Sequence, residues 1–217
     1  RFLSEPVKLY NACSGECFGE TEGLADEKTP FRPRSPYAVA KAAAFWEVAN
    51  YREAYDLFAC SGILFNHESS LRPARFVTRK VVAAACRIAA GSNERLRLGN
   101  LSVSRDWGWA PEYVDAMWRM LQQDVADDYV IATGESYGLE DFVRLAFAEV
   151  DLDWREHVDV STDLLRASDI RHSAGNAAKA RVQIGWEASH RMPDVVRMMI
   201  TAERGGSETT EWLDAGK

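Results

Sequence analysis

The sequence predicts an α/β fold with a partly parallel sheet. Short apolar strand patterns alternate with helical patterns along the chain, which is the order found in strand–helix–strand units. The first such unit is predicted over residues 7–65. Of the 217 residues, 47% are hydrophobic and 27% are charged, as in an ordinary globular protein that buries a core.

Local patterns predict each element in turn. Residues 7–13 alternate apolar and polar side chains, as a strand does. Ser35 suits a helix N-cap and Pro36 suits the first helical position, so a helix is predicted from Pro36 to about Tyr55. The same reasoning predicts strands at 57–65, 96–98 and 129–132, helices at 76–90, 111–122, 139–149 and 191–203, a surface loop at 20–28 and a frayed tail at 205–217.

Charge and cysteine content exclude several classes of function. The net charge is -7, from 26 basic and 33 acidic residues, which argues against nucleic-acid or membrane partners. No apolar run reaches the roughly 18 residues of a membrane span. On an extended strand Cys13 and Cys17 would lie ~13 Å apart, too far for a disulfide, and there is no C-x-x-C pair. All four cysteines are therefore predicted to be reduced thiols of a cytoplasmic protein without a metal site.

Two pairs of residues could carry chemistry. Tyr37 and Lys41 lie four apart on one helix face, where an ammonium beside the phenol is predicted to lower its pKa so that it can accept a proton from an alcohol. Ser14 and Glu16 follow the first strand and face one side if the chain stays extended there. On the residues alone, a packed ring beside a solvated amine, and a turn serine beside a loop acid, are the commoner meanings.

One expected element of dinucleotide binding is missing. No G-x-x-G-x-x-G or G-x-G-x-x-G run follows a strand anywhere in the chain. The sequence therefore supplies no glycine-rich loop to hold a pyrophosphate at a helix N-terminus.

Several runs of sequence occur together in a recognisable order. They are CSGECFG (13–19), PFRPRSPYAVAK (30–41), VANYREAY (48–55), GILFNHES (62–69), FVTRK (76–80), LGNL (98–101), RDWG (105–108), MLQQ (120–123) and YVIATGE (129–135). Their combination resembles the extended short-chain dehydrogenases/reductases that modify nucleotide sugars, and within them the GDP-mannose 4,6-dehydratase family. The resemblance covers roughly residues 7–202 and implies a Rossmann-like parallel sheet, C-terminal part only, with a smaller α/β substrate-binding domain.

The resemblance also implies roles for individual residues. The implied catalytic residues are Ser14, Glu16, Tyr37 and Lys41. Residues implied to contact NADP are Tyr37, Lys41, His67 and Arg72. Residues implied to bind the GDP-sugar are Asn66, Val77, Lys80, Leu98, Gly99, Asn100, Arg105 and Arg166. Two alternatives stay open: His67 as a structural histidine, and Arg105 as half of a surface ion pair with Asp106.

The implied reaction converts GDP-mannose to GDP-4-keto-6-deoxymannose by an internal redox cycle of NADP, in a homodimer or homotetramer. Tyr37 would take the proton of the carbon-4 hydroxyl, and Glu16 the proton of carbon 5 as water leaves carbon 6. Related epimerases and reductases usually carry Ala where Glu16 stands. The alternatives are another GDP-sugar epimerase or reductase, and a non-catalytic nucleotide-sugar-binding remnant.

The family's usual chain begins with a Rossmann half that precedes the residues seen here. We therefore expect a fragment of a longer enzyme, inactive alone, in which 1–70 complete the NADP-binding domain and carry the catalytic residues. Residues 71–204 would mainly form the substrate domain, with some segments returning to the first domain, and 205–217 a flexible tail. Departures from the family pattern stand at Gly15, Leu71, Pro73 and Ala167, and Leu71 weakens the inference of a tetramer.

Overall fold

A three-stranded parallel sheet organises the first part of the molecule. In a computed structural model that describes residues 7–161, 163 and 169–205, strands β1 (Leu9–Ser14), β2 (Ala59–Leu64) and β7 (Tyr129–Ile131) pair in the order β1–β2–β7. Every pairing in this sheet is parallel. The predicted α/β class with a parallel sheet is confirmed.

Helix α1 (Pro36–Tyr55) connects β1 to β2 and has the predicted bounds. The Ser35 side chain accepts a hydrogen bond from the backbone N–H of Ala38 at 3.1 Å, which satisfies one of the free amides of the first turn. The helix is capped at its C-terminal end by Asp56, whose backbone φ of 53° is left-handed. Its buried face packs against β1 and β2 and holds the first functional side chains beside the strand ends.

The other elements are short strands and helices. They are β3 (Asn66–Glu68), α2 (Val77–Ala89), β4 (Leu96–Leu98), β5 (Ser104–Arg105), β6 (Trp107–Trp109), α3 (Ala110–Gln122), β8 (Tyr137–Gly138), α4 (Leu139–Ala148), β9 (Val158–Val160), β10 (His172–Ser173), α5 (Ala178–Ile184) and α6 (Met192–Glu203). Strands β10, β5 and β8 form a mixed sheet, and β3 pairs with β6 and β4 with β9 in parallel.

Three clusters of buried apolar side chains hold these layers together. One lies between α1 and the parallel sheet, a second lies between that sheet and α3 with α5, and the largest joins α2, α4 and α6 to β4, β6 and β9. The proposed domain boundary at residue 70 stays a prediction.

Some sequence expectations need correction. The first strand begins at Leu9 and includes Ser14, because the chain leaves the sheet only after that residue. Trp107 and Trp109 lie buried in strand β6, outside the predicted helix at 111–122, while Trp118 lies on α3 and is 61% exposed.

The described residues include neither a membrane-spanning helix nor a cluster of metal-binding side chains. No helix among them has both the length and the apolar character needed to cross a bilayer. Those same residues contain no group of three or more His, Cys, Asp or Glu side chains placed to hold a metal ion.

Candidate active site

A cleft of about 740 Å³ opens at the carboxyl ends of β1 and β2. This edge of a parallel α/β sheet is where ligands usually bind. Seven of the predicted site residues line it together: Ser14, Glu16, Tyr37, Lys41, Asn66, His67 and Arg72. The predicted catalytic and cofactor residues, up to 58 positions apart in sequence, therefore share one cavity.

Ser14 and Glu16 are brought to the cleft by a tight turn. The chain leaves β1 at Ser14 and forms a 3-10 turn over Gly15–Phe18, in which the backbone N–H of Glu16 donates to the Ser14 hydroxyl at 3.3 Å. The turn ends at Gly19, whose φ of 68° and close approach to the Arg32 carbonyl oxygen leave no room for a side chain. The expectation that 14–16 stay extended is wrong, but both side chains still reach the cleft.

Tyr37 and Lys41 share the first turns of α1, as their spacing predicts. Tyr37 is 53% exposed, and the Lys41 Nζ lies 5.8 Å from the centre of its ring. The Lys41 ammonium donates a hydrogen bond of 2.7 Å to the carbonyl oxygen of Ala12 on β1. This contact fixes the lysine between the helix and the strand end.

The predicted lowering of the Tyr37 pKa is wrong for this structure. Partial burial raises the pKa of the phenol above its usual value, and the negative charge of Glu16 adds to the increase. A hydrogen bond with Ser14 acts in the opposite direction but does not outweigh burial. The Lys41 ammonium donates its hydrogen bond to the Ala12 carbonyl oxygen on β1.

The opposite wall of the cleft carries His67. Its Nδ1 lies 2.8 Å from the Phe65 carbonyl oxygen, and its ring stacks on Tyr113 at 4.7 Å. Burial lowers the pKa of His67, which favours the neutral imidazole. With the Nδ1 proton assigned to the Phe65 contact, Nε2 is left as a hydrogen-bond acceptor.

Arg72 on the same wall is already partnered. Its Nε lies 3.0 Å from the Glu68 carboxylate, and its guanidinium carbon lies 3.7 Å from the centre of the Phe76 ring. Glu68 is buried, and that burial raises its pKa to about 7 in spite of the nearby arginine. The cation that the resemblance assigns to the cofactor is therefore held by a buried carboxylate and an aromatic face.

The described residues predicted to bind the sugar nucleotide, other than Asn66, lie on α2, on β4 and the turn after it, and on β5. Val77 begins α2 directly after the cleft residue Phe76, and the Lys80 Nζ donates to the Arg97 carbonyl oxygen at 2.6 Å. Arg105 donates to the Ile170 carbonyl oxygen at 2.7 Å, and its strand partner Ser173 lines the cleft.

The turn after β4 has its own local contacts. The Leu98 side chain is 2% exposed and belongs to the core, so only its backbone could meet a ligand. Gly99 and Asn100 follow it and are partly exposed, and the Asn100 side-chain oxygen accepts from the backbone N–H of Ser102 at 2.9 Å. Arg166 lies outside the described residues.

The alternative of a surface ion pair between Arg105 and Asp106 is wrong, because Asp106 is fully buried. Its carboxylate accepts hydrogen bonds from the backbone N–H groups of Thr133 (2.9 Å), Gly134 (2.9 Å) and Gly175 (3.3 Å). Burial raises the Asp106 pKa, and these hydrogen bonds oppose the increase. The acid of the RDWG run therefore connects three chain segments beside the cleft.

Sequence reasoning missed several lining residues, among them Arg75, Phe76, Met117 and Ser173. Arg75 directly precedes the FVTRK run and Phe76 is its first residue, so their place in sequence was an available signal. Met117 on α3 and Ser173 on β10 reach the cleft only through long-range packing, for which no local pattern exists.

The largest disagreement with the sequence analysis concerns Cys13 and Cys17. Their Sγ atoms lie 3.7 Å apart instead of the ~13 Å that an extended strand would give. The reason is the 3-10 turn, which reverses the chain between them. Both remain free thiols, as do Cys60 and Cys86.

Comparison with known proteins identifies one protein family for this chain. The family profile described as GDP-mannose 4,6 dehydratase matches residues 1–199. GDP-mannose 4,6 dehydratase 1 of Arabidopsis thaliana is 48% identical over 194 residues, covering 89% of this chain and 54% of that protein. GDP-mannose 4,6 dehydratase 2 of Caenorhabditis elegans is 46% identical over 218 residues, covering 93% of this chain and 57% of that protein. The chain thus spans somewhat more than half the length of these curated relatives.

Solved structures share the fold at lower identity. A dTDP-glucose 4,6-dehydratase from Bacillus anthracis in complex with NAD has a TM-score of 0.83 at 19% identity, over 95% of this chain and 64% of that chain. The RMD protein from Pseudomonas aeruginosa complexed with NADPH has a TM-score of 0.82 at 19% identity, over 93% of this chain and 68% of that chain. These similarities confirm the Rossmann-type α/β architecture.

Proposed function

Because the chain belongs to the GDP-mannose 4,6-dehydratase family, we propose that it carries the catalytic residues of an enzyme that dehydrates GDP-mannose or a related GDP-sugar. The observation that supports this most directly is the convergence of Ser14, Glu16, Tyr37 and Lys41 on one cleft. A phenol, an ammonium and a carboxylate at one site are the groups that a coupled oxidation and elimination needs.

We propose NADP as the cofactor, with Tyr37, Lys41, His67 and Arg72 holding its nicotinamide and ribose end. These residues fit that group, because the cleft offers a neutral imidazole, an ammonium and a hydroxyl beside an apolar wall. The sequence has no glycine-rich loop, so the fit extends only to that end. When bound, the nicotinamide would supply the reversible acceptance of hydride from the sugar.

In the proposed reaction, the residues of this chain move protons and orient the sugar. Tyr37, in its deprotonated form, accepts the proton of the carbon-4 hydroxyl, and the Ser14 hydroxyl, which acts against the burial that raises the Tyr37 pKa, positions the phenol. The ketone formed at carbon 4 acidifies carbon 5. Glu16 removes the carbon-5 proton, which departs with the carbon-6 hydroxyl as water, a step that needs a base distinct from the tyrosine. Return of the hydride to carbon 6 and of a proton to carbon 5 would complete the 4-keto-6-deoxy sugar.

The remaining residues would position the GDP group. We propose that the strip formed by Asn66, Val77, Lys80, the Leu98–Gly99–Asn100 turn and Arg105, together with Arg166, binds the nucleotide and its diphosphate. Cations such as Lys80 and Arg105 suit a diphosphate. We further propose a cytoplasmic homodimer or homotetramer, since the described cysteines are free thiols and helix α1 exposes large apolar side chains.

The test is a product assay with the protein expressed from its complete open reading frame, supplied with GDP-mannose and NADP. We expect a 4-keto-6-deoxy sugar nucleotide. Glu16→Gln is expected to lower turnover by about 10²- to 10⁴-fold, because the amide cannot take the carbon-5 proton.

Glu22→Gln is the matched control, since Glu22 is an exposed acid that does not line the cleft, and its turnover should stay within about twofold of the parent. Parent-like turnover of Glu16→Gln would refute the assigned role of that residue. A product that keeps its carbon-6 hydroxyl would favour the epimerase or reductase alternative instead.

A further inference from the structure

Two buried thiols face each other directly beneath the candidate active site. Cys13 at the end of β1 is 3% exposed and Cys17 in the 3-10 turn is 0% exposed, and their Sγ atoms lie 3.7 Å apart. The Cys13 Sγ lies 3.8 Å from the Lys41 carbonyl oxygen, and the Cys17 Sγ lies 3.5 Å from the Ala38 carbonyl oxygen. The pair therefore connects the turn that carries Glu16 to the helix that carries Tyr37.

The two sulfurs lie near enough to each other for a disulfide to form after a small movement. A disulfide has an S–S distance of about 2.05 Å, so the two sulfurs need to approach by less than 2 Å, which a side-chain rotation and a small backbone shift supply. Cys13 lines the cleft, which gives a small reagent a path to the pair. No other cysteine among the described residues has a recorded thiol neighbour: Cys60, for example, lies 3.5 Å from the Leu9 carbonyl oxygen instead.

The electrostatic setting favours reaction of this pair over the other thiols. Cys13 can donate a hydrogen bond to the Cys17 sulfur, which lowers the pKa of Cys17, and the Lys41 ammonium acts in the same direction. The same shared hydrogen bond, with burial, raises the pKa of Cys13. For Cys60 and Cys86 burial raises the pKa. The pair thus yields one thiolate more readily than an isolated buried thiol does.

We propose that Cys13 and Cys17 are a reversible redox site, at which a small-molecule disulfide such as glutathione disulfide forms an intramolecular disulfide that reduces turnover in the adjacent active site. The existence of the bond is independent of the proposed function, whereas its effect on turnover rests on it.

The exchange balances in two steps. A thiolate of the pair attacks one sulfur of glutathione disulfide, forming a mixed disulfide and releasing one glutathione thiolate. The second protein thiol then loses its proton and attacks the protein sulfur of the mixed disulfide, releasing the second glutathione. The protein loses two S–H bonds and gains one S–S bond, while glutathione disulfide is reduced to two glutathione molecules.

The Cys13–Cys17 disulfide would displace Glu16, because Glu16 lies within the ring of residues that the bond closes. Ser14, Gly15 and Glu16 lie between the two cysteines, and the turn has little freedom since a Cβ at Gly15 would lie 3.0 Å from the Phe65 ring. Drawing the sulfurs together also removes their contacts with the Ala38 and Lys41 carbonyl oxygens on α1. A displacement of Glu16 by about 1 Å relative to Tyr37 is enough to lower the reaction rate about 100-fold.

The first experiment tests the bond in the protein expressed from its complete open reading frame. After treatment with glutathione disulfide, free thiols are alkylated under denaturing conditions and the protein is digested with trypsin. Residues 9–28 form one tryptic peptide that contains both cysteines. We expect this peptide to be lighter by two hydrogen atoms and unalkylated, and dithiothreitol to restore two alkylation sites.

The peptide containing Cys60 should be alkylated before and after oxidation, which makes it an internal control. A 9–28 peptide that still takes two alkyl groups, or that carries glutathione on each cysteine without a ring, would overturn the proposal. This peptide measurement requires no catalytic activity, so its result tests the disulfide independently of the proposed function.

The second experiment measures turnover before and after oxidation, with each variant compared with its own reduced form. The parent and Cys60→Ser are expected to lose activity about tenfold or more on oxidation and regain it with dithiothreitol. Cys17→Ser, or Cys13→Ser if Cys17→Ser does not fold, should keep its own activity within about twofold, because it cannot form the ring. Equal loss in the cysteine variants, or an oxidised parent with unchanged turnover, would refute the regulatory role.

Discussion

Glu68 shows how a single buried charge is balanced in this molecule. Its carboxylate lies 3.0 Å from the Arg72 guanidinium, yet its pKa is raised to about 7 because loss of solvent outweighs the attraction of the arginine. The group therefore holds a proton in the folded chain at a pH where it would ionise in the unfolded chain. Folding stability is thereby linked to pH.

We predict that ionisation of Glu68 lowers the free energy of unfolding as the pH rises from about 4.5 to about 7. Across this range the unfolded chain releases the proton while the folded chain keeps it, so the unfolded state binds fewer protons and stability decreases. Urea unfolding of the parent and Glu68→Gln should show the difference between them changing by about 3 kcal/mol across the window. Parallel pH profiles of the two proteins would contradict the assignment.

At the same scale, the sequence indicated which residues meet in the cleft but not their electrostatic state. The spacing of Tyr37 and Lys41 is a local property, and the structure keeps it. The direction of the Tyr37 pKa shift is not local, because it depends on burial and on contacts with Ser14 and Glu16. A sequence pattern that spans four residues contains neither contact.

Helix α1 is the element whose prediction succeeded best, and its ends explain why. Ser35 and Pro36 mark its beginning by chemistry that is readable in sequence, and its bounds are confirmed. Strands of two or three residues, such as β5 and β8, show no periodicity, and they exist only because a partner strand is nearby. These strands were missed, as was the 3-10 turn that joins Cys13 to Cys17.

The C-terminal part of α1 is fixed to the sheet by a mostly buried ion pair between Arg52 and Asp128. Both carboxylate oxygens of Asp128 accept from Arg52, at 3.0 and 2.6 Å, and Asp128 also accepts from the backbone N–H of Ser61 at 2.7 Å. Arg52 additionally donates to the Ala59 carbonyl oxygen at 2.7 Å. Helix α1, strand β2 and the residue that precedes β7 thus meet at a single carboxylate.

We predict that Asp128→Asn lowers the free energy of unfolding by about 3 kcal/mol, because it leaves the Arg52 guanidinium without its counter-charge at a mostly buried site. Chemical denaturation measures the loss. Asp141→Asn is the matched control: its pair with Arg144 is exposed, with a distance of 3.2 Å, and should change stability by less than about 0.5 kcal/mol. Equal decreases in the free energy of unfolding of both variants would show that the Arg52–Asp128 pair stabilises the fold no more than the exposed pair does.

For the whole molecule, the order of strands in the sheet follows from contacts between distant residues. β1, β2 and β7 lie up to 120 residues apart, and their parallel pairing was predicted as a class but not as a register. The exposed side of α1 is the second large-scale feature. Val39 and Trp46 lie two helical turns apart on that side, and Trp46 is 62% exposed.

We predict that the proposed oligomer forms through this side of α1, so that Trp46→Glu raises the dissociation constant of the assembly by about 30-fold or more. Light scattering coupled to size exclusion measures the mass as a function of concentration. Trp118→Glu on α3 is the control, since that tryptophan is 61% exposed and should leave the mass unchanged. If Trp118→Glu dissociates the assembly and Trp46→Glu does not, the interface lies on α3 instead.

The buried carboxylate of Asp106 has a mechanical consequence. The amide of Thr133 donates to its Oδ1, the amides of Gly134 and Gly175 both donate to its Oδ2, and no solvent is available there to replace a broken hydrogen bond. Neither segment can move far without the other, since each holds part of the same negative charge. The loop after β7 and the chain that follows Ser173, itself a lining residue of the cleft, are therefore expected to move together rather than independently.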